Sequence, residues 1–495
     1  MTPSASGTTP RTELTFRFRG QTRRLKNFAP SATLLDWLRE DEGAKGTKEG
    51  CAEGDCGACT VVLVRERGGR LDYAPVNACI LLLGQIDGAE LLTIEDLAHG
   101  EALHPVQQAM VDLHASQCGF CTPGIVMSLF ALYHDGAPAT RESVNEALAG
   151  NLCRCTGYRP IVDAALAVID GASSDQFSAV ETDRRGAIKA LDDGRDLFVG
   201  DESRFFAAPA SEAGLSELYE KHPDAVLLGG ATDVGLWVTK RFMDLKKIIW
   251  LGRVAGFDAI EDGASALLMG AGATLEAATP HLNAIHRDLG VLMNRFGSAQ
   301  VRASGTVGGN IANGSPIGDL APALIALGAS VELTEAGATR TLALEDFFIG
   351  YGKQDRRPSE YVSALVAPKL AGNEVFRAYK VSKRFDEDIS AVMGAFKLTL
   401  DGRKVVDARV AYGGMAAIPK RAAKAEAALI GADLDDPATW QAAKAAVGAD
   451  FQPLTDMRAS AGYRSTVAAN LLTRAMLEIS GASAPTRLGD LLAAE

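Results

Sequence analysis

Eight cysteines, Cys51, Cys56, Cys59, Cys79, Cys118, Cys121, Cys153 and Cys155, fall in the first third of the 495-residue chain, and the rest has none. Cys153 and Cys155 are separated only by Arg154, too close for an unstrained disulfide between them. The chain opens MTPSASGTTPRTELTF, without the apolar core of a secretory leader. Its longest apolar run, IVMSLFALY at 125–133, is shorter than a bilayer span. The expected compartment is therefore the cytoplasm, where thiols stay reduced and clustered cysteines serve metals.

The first four cysteines stand in KEGCAEGDCGACTVVL and VNACI. The spacing C-x4-C-x2-C with one distant cysteine is the plant-type ferredoxin pattern for a 2Fe-2S cluster. Gly50, Gly54 and Gly57 allow positive φ, so the loop can curl around a cluster and aim N–H groups at its sulfurs. The elements that must hold this loop are legible upstream. LTFRFRGQTRRL alternates like a hairpin turning at Gly20 and Gln21, and SATLLDWLRE starts a short helix with Ser31 or Thr33 as N-cap.

From His104 the apolar positions recur at helical spacing in four segments: HPVQQAMVDLHAS, TPGIVMSLFALYHDG, TRESVNEALAGNL and RPIVDAALAVIDG. Pro105, Pro123 and Pro160 suit first-turn positions, and Gly136 suits a stop. Cys118 and Cys121 then lie between the first two helices, Cys153 and Cys155 between the last two. In a bundle the two loops meet at one end and supply four thiolates to a second 2Fe-2S cluster. Four-thiolate zinc would also suit C-x2-C, but C-x-C is an unusual zinc half-site, and the upstream ferredoxin pattern makes a second redox centre the better expectation.

A net charge of -12 and a pI near 5.2 argue against nucleic-acid or anionic-membrane partners. After GASSDQFSAVETDRRG, linker-like in composition, come two glycine-rich segments, AVLLGGATDVGLWV at 225–238 and RASGTVGGNIANGSPIGDLAPALIALGA at 302–329. Their backbone N–H groups could approach a pyrophosphate closely. Neither matches G-x-G-x-x-G, and either alone reads better as turn glycine in an α+β domain. Further on, AVMGAFKLTL and KVVDARVAYGGM alternate like strands, with Ala-rich helical runs behind them.

KEGCAEGDCGACTV, SQCGFCTPGIVMS and AGNLCRCTGYRPI together resemble the iron-sulfur portion of the molybdenum hydroxylases, and the resemblance continues from Phe198 through a flavin-binding region. It implies an α+β multidomain fold: a ferredoxin-like β-grasp domain (11–97), a four-helix 2Fe-2S bundle (98–172), a linker (173–197), a two-part α+β FAD-binding domain (198–372) and an α/β C-terminal flavoprotein subdomain (376–490). It also implies that Gln117 contacts a pterin. The family's first FAD loop falls on Leu227, Leu228, Gly229, Gly230, Ala231, Thr232, Asp233 and Val234. The second falls on Phe296, Thr306, Val307, Gly308, Gly309 and Asn310, with Asp319, Lys380, Ile389 near the flavin ring, and Val362 through its backbone. In the family, the charged loop KRFDEDIS lies beside the flavin and helps decide whether NAD or oxygen takes the electrons.

The domain order resembles the small subunit of bacterial two-subunit members, in which a molybdopterin-binding large subunit holds the substrate pocket and two small and two large subunits form a heterotetramer. The resemblance implies electron transport through two 2Fe-2S clusters to FAD and then NAD, with no catalytic acid or base on this chain and no hydroxylation by it alone. Other expectations of different class are a subunit acting on aldehydes or N-heterocycles, an independent ferredoxin-flavin reductase, and a metal-structured binding protein without redox activity.

Overall fold

The computed structural model describes residues 9–481 and Thr486, so the end of the expected C-terminal subdomain, 482–485 and 487–490, lies outside the described residues. The chain forms two compact units. One runs to Asp258 and adds Thr274–Glu276 and Gly297–Thr306; the other comprises Ala259–Ala273, Ala277–Phe296 and the residues from Val307 onward.

In the first unit, strands Leu14–Phe18 and Gln21–Leu25 pair antiparallel. Arg19 and Gly20 both have positive φ, the two-residue turn that matches strand twist. Leu14, Phe16 and Phe18 are buried, as a period-two pattern requires. The mixed sheet continues through Glu90–Leu92, Thr60–Arg67 and Arg70–Asn77. Thr33 caps the short helix Leu34–Asp36, its hydroxyl accepting from Asp36 N at 3.1 Å. Trp37 meets Phe16 edge-on, with ring centres 5.3 Å apart.

Four helices follow, Pro105–Asp112, Thr122–Tyr133, Arg141–Leu148 and Arg159–Val168, each of the first, second and fourth with proline in its first turn. Residues 173–197 are not an open connector. They carry helix Glu181–Lys189, Asp175 is hydrogen-bonded by His104 (2.9 Å) and His134 (3.0 Å), and buried Arg184 reaches Glu90 at 2.7 Å. A second sheet, ordered Leu197–Asp201, Arg204–Ala208, Lys247–Trp250, Val226–Leu228, shares one core with the ferredoxin-like sheet through Phe206, Leu228 and Ile248 against Leu82, Leu83 and Ile86.

The second unit contains an antiparallel sheet, Ile260–Asp262, Ala266–Gly270, Tyr361–Pro368, Ser330–Glu335 and Ala338–Ala343. A further antiparallel sheet, Glu374–Val381, Val392–Asp401, Lys404–Gly413 and Lys420–Arg421, packs against helices Ala423–Leu429, Gln441–Asp450 and Ala461–Ser480 around Tyr412, Trp440 and Leu472. Among the described residues, no helix is long and apolar enough to cross a membrane.

Candidate functional site

Cys51, Cys56, Cys59 and Cys79 converge where the loop before strand Thr60–Arg67 folds back on the segment after Arg70–Asn77. The backbone N–H groups of Glu53, Asp55 and Cys56 all point at Cys51 Sγ, each at 3.4 Å. Gly54 and Gly57 adopt positive φ as expected, and Asn77 Nδ2 donates to Gly54 O at 2.9 Å. Gly50 corrects the expectation: its φ is not positive, and the missing side chain serves space, because a Cβ would stand 2.7 Å from Cys56 Sγ. Hydrogen bonds from the Cys56 and Cys79 thiols, joined by the Glu53 and Asp55 N–H groups, hold Cys51 far below the usual thiol range. The bond to Cys51 and burial push Cys56 up. Crowded thiols with N–H donors aimed at sulfur form a donor set suited to a metal cluster that neutralises them.

The second set forms at one end of the helical bundle, where the two interhelical loops do meet. Cys118 hydrogen-bonds Cys155, and Cys121 hydrogen-bonds Cys153. Cys118 and Cys155 are exposed, while Cys121 and Cys153 are half-buried. Burial and the Cys153 contact push the Cys121 thiol up to about 12. The Tyr158 hydroxyl accepts from Cys153 N at 2.7 Å, which fixes the turn of C-R-C. Gln117 is exposed beside Cys118.

Between the two sets the backbones touch. Leu152 N donates to Cys56 O at 3.0 Å, and a Cβ on Gly124 would lie 2.1 Å from Gly57 O. Sequence reasoning missed the polar network that locks this contact. Asn151 Nδ2 donates to Gly57 O (3.1 Å) and Ser128 Oγ to Asn151 Oδ1 (2.7 Å), while Gln300 Nε2 donates to Ser128 Oγ (3.0 Å) and Asn151 Oδ1 (2.9 Å). Asn151 lies two residues before Cys153, whereas no spacing rule points to Gln300.

In the first unit, Leu227 and Leu228 end strand Val226–Leu228, Gly229 to Asp233 form a tight loop with Ala231 at φ 63°, and Val234 opens helix Val234–Thr239. The second glycine-rich segment packs against this loop. A Cβ on Gly230 would fall 1.7 Å from Ser304 O, and one on Gly229 2.7 Å from Thr306 Oγ1, so the first segment must lack side chains at these two positions.

Phe296, Val307, Gly308, Gly309, Asn310, Asp319, Val362, Lys380 and Ile389 belong to the second unit. The expectation that Gly308 offers its N–H to a ligand does not hold. It donates to Ala271 O at 2.9 Å, and a Cβ would lie 2.3 Å from Ala271 Cβ, so this glycine serves close packing. Lys380 Nζ bonds Asp319 Oδ2 at 2.7 Å and Arg295 O at 3.0 Å, nearly excluded from water, and Ser390 Oγ donates to Asp319 Oδ1. Val362 is a buried residue of strand Tyr361–Pro368 paired with Leu333, and Ile389 is exposed. Phe296 is half-buried, directly after the Arg295 carbonyl that Lys380 holds.

A third constellation, His104, His134 and Asp175, brings three ligand atoms within 4.8 Å. His104 Nδ1 accepts the Val106 N–H at 3.2 Å, so Nε2 carries the proton that it donates to Asp175, and a neutral ring has no lone pair left there for a metal.

Four family models match in series: a 2Fe-2S iron-sulfur cluster binding domain at 16–83, a [2Fe-2S] binding domain at 93–166, the FAD binding domain in molybdopterin dehydrogenase at 202–370, and a CO dehydrogenase flavoprotein C-terminal domain at 377–479. Xanthine dehydrogenase of Emericella nidulans is 31% identical over 86% of this chain and 36% of its own length, and xanthine dehydrogenase 1 of Arabidopsis thaliana is 31% identical over 85% and 36%. The chain thus spans little more than a third of these relatives. Among solved structures, the cyanide-inactivated Cu,Mo-CO dehydrogenase matches with TM-score 0.51 and 27% identity over 54% of this chain and 94% of that one. The reconstituted CO dehydrogenase from Oligotropha carboxidovorans matches with TM-score 0.52 and 26% identity over 56% and 96%. Two 2Fe-2S domains, an FAD-binding domain and a flavoprotein C-terminal domain in this order mean that the chain belongs to the molybdenum hydroxylase family of oxidoreductases.

Proposed function

We propose that this chain is the electron-transfer subunit of a cytoplasmic xanthine dehydrogenase, paired with a molybdopterin-binding large subunit in a heterotetramer of two small and two large subunits. When bound, the groups would supply the redox chemistry: the two 2Fe-2S clusters would carry single electrons away from hypoxanthine or xanthine oxidation on the molybdenum partner, and FAD would combine two of them with a proton for hydride transfer to NAD. The chain's own residues hold those groups. Cys51, Cys56, Cys59 and Cys79 take one cluster, Cys118, Cys121, Cys153 and Cys155 the other, and Leu227 to Val234 with Thr306 flank the flavin. Gln117, exposed beside the exposed Cys118, faces the pterin. The observation that carries this reading is the direct backbone contact between the two cysteine loops, Leu152 N to Cys56 O, which leaves a short path between the centres.

The purified chain should contain about four iron and four acid-labile sulfides, the content of two such clusters, and stoichiometric zinc would overturn the assignment. With its partner it should reduce NAD with xanthine. Turnover of aldehydes or other N-heterocycles in place of xanthine would move the reading to another member of the family.

A further inference from the structure

Helix Val234–Thr239 leaves the first flavin loop and ends on the first cysteine loop. Six residues at about 1.5 Å each span only about 9 Å, so this one element sets the separation between the two. Its grip on the cysteine loop is specific. Thr239 Oγ1 donates to Ala52 O at 2.7 Å, and Lys240, the residue that caps the helix, donates from Nζ to Cys51 O. Gly235 lies so close to Ile80, the neighbour of Cys79, that a Cβ would fall 2.4 Å from Ile80 O. The helix therefore touches both ends of the first cysteine set. Ala52 is held at φ 54°, a conformation that favours glycine and needs support from its surroundings.

The charges here are unequal. The loop carries Glu49, Glu53 and Asp55 after Lys45 and Lys48, and a cation bonded to the Cys51 carbonyl is Lys240, with Glu53 Oε2 at 3.6 Å from the same ammonium. A cluster gains negative charge on reduction, so a cation hydrogen-bonded to the carbonyl of one of its ligands favours the reduced form, although partial exposure screens the effect.

Resting on the reading that Cys51 to Cys79 hold a 2Fe-2S cluster, we infer that Lys240 is a positioning residue that raises the reduction potential of this cluster, while Thr239 anchors the loop without charge. The test is a dye-mediated reductive titration of the full chain, followed by electron paramagnetic resonance. Lys240→Met should lower the midpoint of one cluster signal, so that its reduced-to-oxidised ratio at the wild-type midpoint falls roughly threefold to tenfold, with the other signal unmoved. Lys240→Arg should restore the wild-type midpoint, and Thr239→Val should keep it.

An unchanged midpoint in Lys240→Met with both clusters present overturns the inference, and so does Lys240→Arg behaving like Lys240→Met. Should Lys240→Met lose iron, Lys240→Gln, which keeps a donor to Cys51 O, replaces it; iron loss from both also overturns the inference, because a tuning residue is not needed for assembly. Absence of any cluster signal in the wild-type chain would instead refute the cluster reading itself.

Discussion

A Cβ on Gly57 would stand 2.1 Å from the carbonyl oxygen of Gly150, and the backbone there has φ 65°. Gly57→Ala must therefore push the first cysteine loop off the second or strain both, at a cost on the order of 2–3 kcal/mol. The expected result is a lower urea midpoint for the first unit and less than the full complement of iron per chain; a wild-type midpoint would show that the contact is loose. The Lys380–Asp319 pair invites a different test, because each partner is nearly buried and also bonded to neutral groups. Removing one partner strands the other charge, so Lys380→Met should cost about 3–5 kcal/mol. Adding Asp319→Asn should recover much of that loss in a double-mutant cycle read by urea unfolding. Additive losses would mean that the two groups act independently. Both residues were drawn from a family pattern as flavin contacts; the sequence alone does not reveal that they satisfy each other.

At the scale of elements, local chemistry was readable wherever it acts over a few residues. Thr33 caps its helix and proline stands in the first turn of three of the four bundle helices, but the hairpin turns at Arg19 and Gly20, one residue earlier than expected, and the second helix ends at Tyr133, three residues before Gly136. Residues 173–197 escaped that logic because their order is imposed from outside. Burial alone would raise the Asp175 carboxyl, but hydrogen bonds from His104, His134 and Ser178 outweigh it and hold the group well below the usual carboxylate range. A depressed folded pKa contributes stability that is present above the unfolded value near 4 and is lost as pH falls through the folded value. Asp175→Asn should thus destabilise the helical bundle by about 2–3 kcal/mol at pH 6. The gap to wild type should narrow as the pH drops below about 4, read as urea midpoints across that range. A gap that widens on acidification would refute the assignment.

At the scale of the molecule, the division into two units cuts through the FAD-binding region, since the segment before Ala259 and the excursions Thr274–Glu276 and Gly297–Thr306 fold with the iron-sulfur domains. Gln300 shows why. From the second excursion the two N–H groups of its Nε2 are shared among Thr60, Ser128 and Asn151, one group from the ferredoxin-like sheet and two from the helical domain. Gln300→Leu leaves these buried partners without their shared donor, and should destabilise the first unit by about 1–3 kcal/mol. The cluster absorbance should then bleach at lower urea than in wild type, and an unmoved transition would place the stabilisation elsewhere. What the sequence determined by itself was whatever depends on spacing along the chain: the two cysteine sets, the helices and hairpin that carry them, and where the glycine-rich loops fall. Tertiary structure alone decided which loops touch, that Gly50 makes room for a sulfur, that Gly308 donates to Ala271, and that Lys240 reaches Cys51, 189 residues away. Periodicity and capping act within a few residues, whereas these contacts join groups far apart in sequence, and only the packed cores bring them within hydrogen-bonding range.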